Sequence, residues 1–260
     1  MMPPGEIIAG GGVRRSHPYG STRTSVQARH ALLAPDGFVP SALPNWTGAT
    51  CYVVISEALG ARFCQYQIEL GTGGVGVGET RGCQWFVYVL DGTAEAVVDG
   101  QRVELTSGGY VYVPPGTDYE FRGAAAGASL LVFEKTYEVL PGTDLAPVIG
   151  HEADVPGVPF LGDPAAMLQV LLPDTPGFDL AVNIFKYQPG ATLPFVETHV
   201  MEHGLLMLAG EGIYRLEDRW YPVKEGDAIW MAPYCPQWFV ATGKTPASYI
   251  YYKDVNRWPE

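Results

Sequence analysis

The stretch ETHVMEH, residues 197 to 203, holds two histidines and two glutamates in a chain that has only five histidines. Imidazoles and carboxylates set this close are the raw material of a metal site. Side chains alternate faces along an extended segment, so Glu197 and His199 share one face. A bend after His199 brings His203 back to the same interior from the next strand. Gln237, just beyond the hairpin from Gly226 to Pro233, is expected to approach from the opposite wall. Glu202 has the other parity and reads as a solvated surface acid. A carboxylate, two imidazoles and an amide oxygen, with no sulfur, suit Mn²⁺ or Fe²⁺ better than structural zinc. Four such donors on an octahedral ion leave two positions for substrate or water, the arrangement a Lewis-acid catalyst requires. A single histidine is often only a hydrogen-bonded core group, but a pair beside an acid is harder to explain that way.

The elements that must position these groups read as strands. At 260 residues the chain is long enough for two domains. Apolar residues make up 47% and charged residues 17%, with 32 Gly, 22 Pro and 15 Tyr. That composition favours short strands and tight turns over helices. An internal repeat supports this. Residues 79 to 135 overlay residues 197 to 253 at a constant offset, matching Glu79 to Glu197, Gly92 to Gly210, Gly108 to Gly226, Pro115 to Pro233, Phe121 to Phe239 and Lys135 to Lys253. Both copies run strand, Gly turn, strand, strand and a last apolar strand (ASLLVFEK and ASYIYYKD), which suits a small jelly-roll barrel. The expected layout is an arm over 1–45, a first barrel over 46–140, a Pro- and Gly-rich linker over 141–164 and a second barrel over 165–260. Where the second copy has Glu197, His199, His203 and Gln237, the first has Glu79, Arg81, Trp85 and Tyr119. The first barrel is therefore expected to be metal-free.

Several function classes are disfavoured. A net charge of -12 repels nucleic acid and anionic membranes at long range, and no segment has the roughly 18 apolar residues of a membrane span. The N-terminal stretch lacks the apolar core of a signal peptide, so a cytoplasmic protein is expected. Cys51, Cys64, Cys83 and Cys235 form no C-x-x-C pair and read as buried free thiols. No nucleophile motif of the G-x-S-x-G kind is present.

The duplicated barrel resembles the bicupins, all-β proteins of two double-stranded β-helix (jelly-roll) barrels. The stretch PGATLPFVETHVMEHGLLMLAGEG is similar to the first cupin motif, with Glu197 in the usual first-histidine slot and His203 in the usual glutamate slot, and Gln237 takes the histidine slot of the second motif. With EGDAIWMAPYCPQWF and SYIYYKDVNR, this pattern resembles the (S)-ureidoglycine aminohydrolase family, from HALLAPDG to the C-terminus; the plainest departures are local, at Pro236 and Trp238. The resemblance implies an Mn²⁺-dependent C–N hydrolase of the amidine class. It would convert (S)-ureidoglycine and water to (S)-ureidoglycolate and ammonia in purine (allantoin) catabolism. Glu197, His199, His203 and Gln237 would hold the metal, and Tyr214, Tyr249 and Lys253 would face the substrate. Lys253 would manage protons, with Tyr249 orienting it or the substrate. Against this, Lys135 matches Lys253 in the other repeat, as if a lysine there were only structural. A bicupin dioxygenase using Fe²⁺ and O₂ and a non-enzymatic ligand-binding cupin are the competing readings. Exposed sheet edges and the apolar arm point to a homo-oligomer.

Overall fold

The computed structural model describes residues 22–254. The arm's first 21 residues and the tail beyond Asp254 lie outside the described residues. The N-terminal half contains β1 (Ser25–Val26), β2 (His30–Leu33), β3 (Pro40–Ser41), β4 (Trp46–Ile55), β5 (Cys64–Glu79), β6 (Cys83–Val98), β7 (Gln101–Thr106), β8 (Gly109–Val113) and β9 (Asp118–Thr136). The connection carries β10 (Val148–His151) and β11 (Val158–Phe160). The C-terminal half holds β12 (Asp163–Val170), β13 (Ala181–Tyr187), β14 (His203–Ala209), β15 (Glu211–Leu216), β16 (Arg219–Lys224), β17 (Ala228–Met231), β18 (Gln237–Ala241) and β19 (Ala247–Lys253). The chain is all-β, and the ladders are antiparallel.

One sheet runs β1-β2-β17-β14-β19-β13-β12-β11, a second runs β10-β8-β6-β9-β5-β4-β3 with β7 beside β6, and a third is β16-β15-β18. Each half borrows an edge strand from outside its repeat. The arm strand β2 pairs with β17, and β10 from the expected linker pairs with β8, the equivalent strand of the other half. The expected arm and linker are thus partly sheet, because β2 (HALL) is fully buried and can satisfy its backbone only by joining a ladder. The strand QWFVA, missing from the sequence reading, is β18.

Alternation sorts the side chains into three cores. In β14 and β19, Leu205, Met207, Tyr249 and Tyr251 point into the second barrel, while Leu206, Ile250 and Tyr252 point out of it. The outward set meets Phe63, Phe86, Tyr112 and Phe133 of the first barrel in a core shared by the two halves. Phe63 stacks on Tyr252 with ring centroids 4.1 Å apart.

The register corrects the gapless repeat. His203 and Trp85 both face their barrel interiors, and so do Phe239 and Phe121. Cys64 lies opposite Glu134 as Ala181 lies opposite Lys253, and Leu70 lies opposite Ala128 as Tyr187 lies opposite Ala247. The stretch from Phe239 to Ala247 is therefore one residue longer than the bulged stretch of β9 from Phe121 to Ala128. A one-residue slip exchanges the faces of a strand. Glu134 is the positional counterpart of Lys253, and Lys135 faces the other way, into the contact between barrels.

Candidate metal and substrate site

The second barrel encloses a cavity of about 160 Å³ lined by Glu197, His199, His203, Tyr214, Gln237, Tyr249 and Lys253, together with Phe160, Phe185, Leu205, Met231 and Tyr251. All seven residues singled out in the sequence reach it. His203 opens β14 and lies directly across the ladder from Lys253, the last residue of β19. Opposed residues of an antiparallel pair project to one face, so imidazole and ammonium enter the cavity together. Glu197 forms an isolated bridge with Gln237: its backbone N–H donates to the Gln237 carbonyl at 2.8 Å, and its carbonyl accepts from the Gln237 N–H at 2.9 Å. Gln237 therefore comes from the same wall as Glu197, and His203 comes from the opposing sheet, the reverse of the expected arrangement. The Tyr234 N–H donates to the His199 carbonyl at 2.7 Å and fixes that part of the segment.

The two imidazoles meet edge to edge, with His203 Nε2 3.0 Å from His199 Nε2. His203 Nδ1 stands 3.2 Å from the Tyr252 carbonyl. A carbonyl only accepts, so Nδ1 carries the proton and Nε2 turns its lone pair into the cavity. Burial, the neighbouring His199 and the charge of Lys253 hold His203 well below the usual histidine range, and burial and Lys253 also lower His199. Both rings are neutral donors as a result. Burial raises the carboxyl of Glu197, with the charge of Lys253 opposing it. The Tyr214 hydroxyl donates to Gln237 Oε1 at 2.9 Å, leaving the Gln237 Nε2 3.3 Å from His199 Nε2.

Among the described residues, no three His, Cys, Asp or Glu side chains gather as a ready ligand group. What converges is the imidazole pair and the amide, with Glu197 on the same cavity wall. The imidazole pair fits a cation, and Gln237 joins it with the amide turned so that Oε1, not Nε2, faces the rings. With the His203 Nε2 proton-free, the His199 Nε2 serves either Gln237 or His203 as partner but cannot satisfy both, and His199 Nδ1 is buried without a partner. A cation accepts both Nε2 lone pairs at once: donors bound side by side at about 2.1 Å to an octahedral ion lie roughly 3 Å apart.

Tyr249 lines the cavity but is turned toward Tyr187 and not toward Lys253. Its hydroxyl lies 3.0 Å from that of Tyr187, and Tyr251 stands between it and Lys253 along the strand. Tyr251 was missed in the sequence, although alternation along β19 puts residues 249, 251 and 253 on one face. Asn183 Nδ2 donates to its hydroxyl at 3.0 Å, and its ring meets His203 edge-on. Phe160 reaches the cavity from β11, and nothing in the sequence marks it. Glu202 is fully buried. It does point away from the cavity, but its carboxyl enters the contact between barrels, where burial and Asp254 push it up to about 7. Of the thiols, Cys51 and Cys235 are buried while Cys64 and Cys83 are half-buried.

The sequence profile described as Cupin domain matches residues 70–133 and 183–252. The (S)-ureidoglycine aminohydrolase of Arabidopsis thaliana is 36% identical over 244 residues, covering 92% of this chain and 80% of that enzyme. The (S)-ureidoglycine aminohydrolase of Escherichia coli (strain K12) is 36% identical over 237 residues, covering 87% of this chain and 88% of that one. Among solved structures, protein Ylba from E. coli superimposes with a TM-score of 0.84 at 33% identity, covering 92% of this chain and 97% of that chain. No helix among the described residues is long and apolar enough to cross a membrane.

Proposed function

Since the chain belongs to the (S)-ureidoglycine aminohydrolase family, we propose that it converts (S)-ureidoglycine and water to (S)-ureidoglycolate and ammonia, as a step of purine (allantoin) catabolism with Mn²⁺ as cofactor. The observation that carries this reading is the convergence of two neutral imidazoles and a carboxamide with a lysine in one small cavity. Glu197, His199, His203 and Gln237 would hold the ion, which when bound supplies a Lewis acid and fixes the substrate face that reacts. A cavity of about 160 Å³ suits a small polar substrate.

Lys253 donates a proton to the departing amine, the carbon–nitrogen bond breaks, and its electron pair leaves with ammonia. The ureido nitrogen gives its proton back to Lys253 and forms a double bond to the same carbon. Water then adds hydroxide to the carbon and a proton to that nitrogen, completing the exchange of amine for hydroxyl. Tyr214 and Tyr249 contact the substrate, and the aromatic wall excludes bulk water. The four free thiols agree with a reducing cytoplasmic setting. Exposed Val39, Leu161 and Trp220 favour a homo-oligomer.

The test is ammonia release from freshly generated ureidoglycine by metal-stripped protein, with and without added Mn²⁺, in air and under argon. Release that depends on Mn²⁺ and ignores oxygen is the expected result. No ammonia from metal-loaded protein ends this reading, and a requirement for oxygen would move the chain to the dioxygenases.

A further inference from the structure

Two struts join the barrels at equivalent places with opposite charge. Just before β5, the Arg62 backbone N–H donates to both carboxylate oxygens of Glu202, at 3.0 and 3.2 Å, and its Nε lies 3.5 Å from the same group. Its Nη2 donates to Asp254. Asp254 also accepts the backbone N–H of Glu202 at 2.8 Å, and Trp230 Nε1 donates to Glu202 at 3.4 Å. At the matching place before β13, Asp179 does the reverse. It accepts from Lys135 at 2.8 Å, from the Glu138 N–H at 2.7 Å and from Gln84. Arg62 corresponds to Asp179, Glu202 to Gln84 and Asp254 to Lys135.

The two struts differ in where they land. Glu202 precedes His203 and Asp254 follows Lys253, so the Arg62 strut closes the β14–β19 ladder just past its final rung, which is the His203–Lys253 pair. A final rung has a neighbour on one side only and opens first. The side chains of Glu202 and Asp254 are 1% and 8% exposed, and the guanidinium is the cation set against both. Gly204 completes the contact: a Cβ there would lie 2.3 Å from the ring of Phe63, the chain neighbour of Arg62. First-barrel backbone is thus drawn onto the strand that carries His203. Beside that rung, the Tyr252 carbonyl holds the His203 ring in its tautomer.

We propose that Arg62, from the barrel without the cavity, is a positioning residue for the site in the other barrel, holding the His203–Lys253 rung through Glu202 and Asp254. Its catalytic consequence rests on the hydrolase reading above.

The experiment compares Arg62→Ala, Arg62→Lys and Asp179→Asn with the wild type. The readouts are histidine ¹⁵N–¹H spectra of metal-free protein, Mn²⁺ affinity by calorimetry, and kcat and KM for ammonia release. In the wild type, His203 is expected as the single Nδ1–H tautomer. Arg62→Ala should mix its tautomers, weaken Mn²⁺ binding about 10- to 100-fold and lower kcat more than it changes KM, with Arg62→Lys recovering part of each. Asp179→Asn should lower the melting temperature while leaving the His203 signal and Mn²⁺ affinity at wild-type values. If Arg62→Ala does not fold, Asp254→Asn carries the same expectation at smaller size. A wild-type His203 signal in Arg62→Ala, or an equal change in Asp179→Asn, overturns the proposal. A wild type that neither binds Mn²⁺ nor releases ammonia sinks the hydrolase reading alone, since the histidine spectra still decide the role of Arg62.

Discussion

Where the first barrel carries Trp85, Ala96, Leu130 and Val132 in its interior, the second carries His203, Tyr214, Tyr249 and Tyr251 at the same places. Aliphatic side chains pack in any orientation that fills space, and the first barrel closes on itself. Trp85 leans on Tyr119 with centroids 4.7 Å apart, covering the ground that His203 and Gln237 leave open. Tyrosines are bulky but need partners for their hydroxyls. Tyr249 pairs with Tyr187, Tyr251 with Asn183 and Tyr214 with Gln237, so each ring is held to the barrel wall while touching its neighbours edge-on or at a tilt, and a cavity survives. One scaffold has thus been used twice, once as a packed body and once as a lined vessel.

The sharpest way to break this contrast is to remove a donor from each barrel's equivalent position. His199→Ala should lower Mn²⁺ binding and ammonia release roughly 1,000-fold, whereas Arg81→Ala, at the same position of the first barrel, should change both less than about twofold; titration calorimetry and an ammonia assay read the pair. Next in size is the proton-handling position. Lys253→Met should cost about 100- to 1,000-fold in kcat with bound metal retained, and Glu134→Gln, its counterpart by register, should leave kcat unchanged. Turnover alongside metal analysis decides, and full activity in Lys253→Met would remove the lysine from the chemistry. The smallest effect sharpens the contrast between filling and lining. Leu130→Ala should cost about 3 kcal/mol of stability in urea with activity intact, while Tyr249→Phe should cost under about 1 kcal/mol and act on KM or kcat instead.

Much of this was legible because alternation and turn chemistry are local. The glycines and prolines of the two copies mark the same bends, with Gly92 and Gly210 both in the left-handed region at φ 77 and 74. Parity put Glu197 and His199 on one face, and the bend expected after His199 brought in His203. Parity, however, names a face and not what covers it. Glu202 points away from the cavity as its position requires, yet that side is sealed by another barrel and not by water. The lysine match misled for a related reason: the stretch after Phe239 has one extra residue, and a chance identity at Lys135 hid the slip. Phe160 left no trace in the sequence, since a three-residue strand in a Pro-rich connection has no period to read.

The borrowed edge strands have a consequence for how such a chain comes apart. With β2 lying on the far half and β10 lying back on the near one, no single cut between the repeats yields two complete bodies: a cut before β10 leaves each fragment holding a strand that belongs to the other, and a cut after it still leaves β2 on the wrong piece and the β17 edge bare. The halves are therefore expected to melt as one unit, and fragments split between β9 and β10 should be recovered together or as aggregate.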